Sequence, residues 1–79
     1  MTPEQQTETM ALQRQMHAYF DSLAVAGIAE PIIVTAAIVA ASERVLKAST
    51  PTQAAAFLRG HALNMEKFGP ALKKEMSRG

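Results

Sequence analysis

An all-α protein, a small bundle of three main antiparallel helices with a short fourth at the C-terminal end, is the fold class this sequence predicts. Three observations predict it. Thr2-Pro3-Glu4-Gln5 and Thr50-Pro51-Thr52-Gln53 repeat one helix-start design. Apolar residues recur at steps of three and four through both segments that follow. Between them, the run from Pro31 to Ala41 is apolar on every side once wound as a helix, and such a helix must be covered all round.

The first helix is expected over residues 3–26. Thr2 offers its hydroxyl as N-cap, Pro3 occupies the first helical position where a missing N–H costs nothing, and Gln5 can reach back to the cap. Leu12, Met16, Tyr19 or Phe20, Leu23 and Ala26 form its apolar stripe. Gly27 supplies the stop.

The second helix is expected over residues 31–48, with Pro31 in its first turn and Arg44 and Lys47 near its C-terminal end, where cations suit the helix dipole. Its Ile and Val residues do not alternate and alanines interrupt them, which favours helix over strand although each β-branched residue costs a few tenths of a kcal/mol. Ile32, Val39 and Leu46 stand at steps of seven, and Ala36 with Ala40 lets another helix backbone approach closely. Val34, Ile38, Ala41 and Val45 make a second seam beside the first. One seam is expected to face the neighbouring helices. The other, with Ile32, Ala36, Val39, Ala40 and Leu46, is left for a second copy or another protein, and a two-fold homodimer is the commonest solution.

The third helix is expected over residues 51–68, started by Thr50, Pro51 and Gln53, with Ala54, Phe57, Leu58, His61, Ala62, Met65 and Phe68 on one broad face. Gly69-Pro70 reads as its end, and residues 70–76 as a short fourth helix. Short connections around residues 27–30 and 48–50 make consecutive helices antiparallel neighbours. The whole chain of 79 residues is read as one helical domain.

A chain this short buries only about 60% of its unfolded surface and usually needs a disulfide, a metal or a partner. There is no cysteine, so no disulfide and no thiolate metal site, which is consistent with a reducing compartment. Association is the remaining means. Residues 1–9 contain no basic segment leading into an apolar one, so a cytoplasmic location is expected. A membrane span is disfavoured because Glu30 interrupts the apolar stretch from Leu23 to Ser42 and the continuous run after it has the length of a core helix.

Net charge is +1, unevenly spread. Residues 1–43 hold Arg14 against Glu4, Glu8, Asp21, Glu30 and Glu43, a balance of −4. Residues 44–79 hold seven bases against Glu66 and Glu75, a balance of +5. Pairing of these halves within a fold is favoured. The alternative is a nucleic-acid-binding regulator using Arg59, Lys67, Lys73, Lys74 and Arg78, with Thr52, Gln53 and Arg59 offered to DNA in the manner of a helix-turn-helix.

Chemistry finds few carriers. His17 and Asp21 stand four residues apart on one helix face, a spacing that suits a shared metal or a hydrogen bond, but no second pair of ligands accompanies them. No nucleophile appears with a base and an orienting group, so no enzyme, no cofactor and no metal are expected. The segment Arg59-Gly60-His61-Ala62-Leu63-Asn64 resembles the histidine phosphotransfer domains, helical bundles in which a helix-borne histidine receives a phosphoryl group. The resemblance spans six residues and implies an acceptor role for His61. Those domains continue with lysine and glycine where this chain has Asn64 and Met65, and too little chain follows His61 for the second half of such a bundle. A half-buried His61 on the apolar face is the preferred reading. The expected function is therefore a small protein-binding module of the regulator, adaptor or inhibitor type, homodimeric through its second helix.

Overall fold

The structure, a computed structural model, describes residues 1–78 and is all helical: α1 spans Pro3–Val25, α2 Glu30–Ala48 and α3 Pro51–Arg78. Among the described residues there is no strand. Two compact units divide the chain, one from Met1 to Ile38 and one from Val39 onward, so α2 contributes to both.

The first unit holds α1 and the beginning of α2. Thr2 and Gln5 close the capping box: the Gln5 backbone N–H donates to the Thr2 hydroxyl at 3.1 Å and the Thr2 backbone N–H donates to Gln5 Oε1 at 2.9 Å. Two of the N–H groups that a helix start leaves without partners are thereby satisfied. At the other end the Ile28 N–H donates to the Leu23 carbonyl at 3.1 Å and the Gly27 N–H to the Ala24 carbonyl at 3.0 Å, the paired bonds of a Schellman cap. Gly27 carries φ +97°, the left-handed conformation this cap requires and which side chains resist. The sequence signal for the stop was therefore the residue that performs it. Helix α2 begins with less help, because Ala29 accepts from the Ile32 and Ile33 N–H groups through its carbonyl but has no side-chain oxygen to give back. Ile33 is the buried residue of this unit, 3% exposed, with Ala37, Phe20 and Leu23 half-buried.

The second unit holds the rest of α2 and all of α3. Its turn is two residues, Ser49 and Thr50, and each is hydrogen-bonded. Ser49 Oγ donates to the Val45 carbonyl at 2.6 Å, closing α2. Thr50 and Gln53 form a second capping box with both bonds at 3.2 Å. Ala54, 6% exposed, is the buried residue here, and Ser42, Val45 and Ser49 are half-buried.

One expected boundary is absent. Gly69-Pro70 does not end the third helix, and residues 70–76 are not a separate fourth one; α3 runs through Pro70 to Arg78. A proline inside a helix forfeits one backbone bond and crowds the carbonyl four residues back, which here belongs to Glu66. Two circumstances make that tolerable. Glu66 is exposed, so its carbonyl need not be satisfied by protein. The residue preceding the proline is glycine, which lacks the Cβ that normally clashes with the proline ring in helical conformation. The pair that reads as a stop signal is thus also the pair in which a helical proline is least costly.

Candidate interaction surface

Two residues are buried among those described, and the large apolar side chains not named above as buried or half-buried stand open. The chain leaves 7073 Å² accessible. A compact folded chain of 8.5 kDa typically leaves about 4,700 Å².

The surface expected on α2 is open along its length. Ile32, Val39 and Leu46 fall within about 40° of one another around the helix, since seven residues return almost to the same angle at 3.6 per turn, and Ala36 and Ala40 flank them. All five are exposed, Ile32 63%, Val39 50% and Leu46 47%. The covered residues of α2 lie on other sides: Ile33 and Ala37 in its first half, Ser42 and Val45 in its second. Of the second seam, Val45 is half-buried while Val34, Ile38 and Ala41 are exposed. The two-seam reading thus separates one fully open line from one that is partly used.

Helix α3 carries the second open stripe. Leu58, His61, Met65, Phe68 and Leu72 recur at steps of three, four, three and four, continuing the spacing that begins at the buried Ala54. Phe57 and Met76 widen the stripe, and every one of these seven is exposed. His61 was expected to be half-buried, and the structure corrects this: it is exposed, beyond the reach of the shorter part of α2 that shares its unit, and its ring rests edge-on against Phe57 at 4.7 Å between centroids. The bases Arg59, Lys67, Lys73, Lys74 and Arg78 are all exposed and project from the polar side of the helix. Lys67 folds its Nζ to 5.3 Å from the Phe68 ring centroid, in cation–π range.

The sites weighed for chemistry stay dispersed. His17 is exposed and meets Phe20 edge-on at 6.4 Å, and no side-chain hydrogen bond joins it to Asp21 among the described residues. No group of three or more His, Cys, Asp or Glu suited to a metal occurs among the described residues. The side-chain hydrogen bonds there belong to Thr, Ser and Gln, with one weak contact to Met1 sulfur, and involve no Asp, Glu, Lys or Arg. No helix among the described residues is long and apolar enough to cross a membrane. The open stripe of α3 was legible in part: its apolar positions were read as a face that ends at Phe68, with His61 half-buried on it, so Leu72 and Met76 were missed.

No family model, no curated protein and no solved structure matches this chain.

Proposed function

We propose that this chain is a non-enzymatic helical module that works by binding protein, first of all a second copy of itself through α2. The observation that carries the reading is the uncovered line Ile32–Val39–Leu46 with Ala36 and Ala40 beside it, a seam of large residues next to small ones on which another helix can seat closely. A two-fold pairing of this seam with itself is isologous, so one surface serves both partners and closes the assembly. Within each subunit consecutive helices run antiparallel, as the connections between α1 and α2 and between α2 and α3 allow. The assembled dimer then offers its remaining faces to a target, in the manner of small regulators and adaptors. Sedimentation equilibrium at micromolar concentration tests this. A species of twice the chain mass supports it, and a monomer with a cooperative melt overturns it.

A second reading keeps one observation in its favour. The five bases of α3 are exposed on its polar side, an arrangement that can follow a phosphate backbone. Binding to generic duplex DNA that weakens steeply between 50 and 200 mM salt supports this reading; binding absent at low salt removes it.

A further inference from the structure

We infer that the second copy seated on α2 runs antiparallel to it, around a two-fold axis that passes beside Val39. The inference rests on the self-association proposed above and adds the direction and register of the pair.

One charge stands on the seam itself. Glu43 lies one turn beyond Val39 and about 40° from it round the helix, between the angles of Ile32 and Ala36, and it is exposed. The other charges of α2, Glu30, Arg44 and Lys47, lie about 80° or more from Val39 and leave the seam to Glu43. Where the second copy puts its own Glu43 therefore separates the two possible directions.

In parallel pairing the two-fold axis follows the helices and sets every residue level with its own copy. Ile32 meets Ile32, Leu46 meets Leu46, and the two Glu43 carboxylates stand at one level of a seam that assembly takes out of water. Each Glu43 also turns toward the flank of the other helix on which Ser42 and Val45 are already half-buried, so its way to solvent is narrow.

Antiparallel pairing removes both difficulties. The axis crosses the helices at Val39, Ile32 of each copy meets Leu46 of the other, and the two Glu43 are separated by about 12 Å along the pair. Like flanks now meet, so Glu43 comes level with Thr35 of the second copy and lies over its Ala36, whose small side chain leaves the glutamate stem a path to water. The apolar residues fit this register equally well: Ile32, 63% exposed in the chain, and Leu46, 47% exposed, cover each other at both ends, and Val39 covers Val39 between them. The helix dipoles add a smaller contribution of the same sign.

There is no cysteine in the chain, so single cysteines report the register. Val39→Cys, Ile32→Cys and Leu46→Cys, each at an exposed position, are prepared in the full chain and oxidised at micromolar concentration. A disulfide needs Cα atoms within about 7 Å, and positions 32 and 46 are about 21 Å apart along the helix. Val39→Cys is expected to give a linked species of twice the chain mass. Ile32→Cys and Leu46→Cys in equal mixture are expected to give several-fold more linked product than either variant alone. Glu43→Gln is expected to change the dimer dissociation constant by less than about three-fold, because carboxylates about 12 Å apart are screened at physiological salt.

Ile32→Cys and Leu46→Cys that each link to themselves, with no gain on mixing, show parallel pairing; this overturns the inference and leaves self-association through α2 standing. A tightening of about ten-fold or more in Glu43→Gln overturns it in the same way, since only glutamates at one level repel so strongly. Val39→Cys that does not link overturns the inference in every case, and a monomer by sedimentation then overturns the proposed self-association as well.

Discussion

Phe57 and His61, one turn apart on α3, hold their rings edge to face with centroids 4.7 Å apart and an interplanar angle of 62°. The contact lies on the open apolar stripe, a pairing of two exposed rings on one helix surface.

Replacing His61 by Gln removes the ring and keeps a polar, helix-compatible side chain. A loss of about 0.5 kcal/mol in stability is expected, at the low end for an aromatic pair because both residues are exposed, with assembly and partner binding retained. Urea unfolding and sedimentation check this. Binding abolished in a variant of unchanged helicity would return His61 to the phosphotransfer reading.

The two glycines that follow opposite rules give a sign test. Gly27→Ala forces a side chain into φ +97° at the Schellman cap, and since an added Cβ there meets nothing within 4 Å the cost is backbone strain alone, about 1 kcal/mol. Gly60 sits inside α3 with helical backbone and equally open space, so Gly60→Ala is expected to stabilise by about 0.5 to 1 kcal/mol through helix propensity and the narrower unfolded ensemble. Thermal melts of the two variants should move in opposite directions. A lower melting temperature for Gly60→Ala would mean that another chain approaches α3 closely at that point.

How far the sequence carried can be judged at particular residues. Thr2, Gln5, Thr50, Gln53 and Gly27 were legible because capping is local chemistry, decided within four residues of chain and independent of what packs around it. Pro70 was misread for a physical reason: the rule that proline ends a helix is a statement about cost, and Gly69 together with the exposed Glu66 carbonyl lowers that cost below what the surrounding helix supplies. Burial was the least legible quantity. An apolar stripe states that cover is needed and is silent on whether the same chain provides it, which is why His61 read as half-buried and stands open.

Thr50→Ala tests the capping box at the two-residue turn between α2 and α3. The substitution deletes the acceptor for the Gln53 N–H at a turn of only two residues, and about 1 kcal/mol of stability is expected to go with it. Thr2→Ala removes the equivalent bond at a helix start whose first turns are all exposed, whereas the first turn of α3 carries the buried Ala54, so its effect should be smaller. Equal losses at the two sites would show that α1 is held at its beginning as firmly as α3.

Val39→Asp against Ile33→Asp separates interface from interior on one helix. Ile33 is 3% exposed within the chain, so a carboxylate there must lose its water or protonate whatever the assembly state, and the variant is expected to unfold. Val39 is 50% exposed within the chain and sits at the centre of the seam between Ile32 and Leu46, so a single subunit can hold Asp there in contact with solvent. The cost falls on assembly, where two copies would bring two carboxylates into one desolvated seam. A weakening of at least 100-fold in association is expected, equivalent to about 3 kcal/mol, with much of the helical signal by circular dichroism retained at concentrations where the parent is dimeric. Val39→Asp that stays dimeric with unchanged affinity shows that this line of α2 faces solvent in the assembly. Val39→Asp that unfolds as completely as Ile33→Asp shows that the seam is closed within the subunit, and the interface must then be sought on α1 and α3.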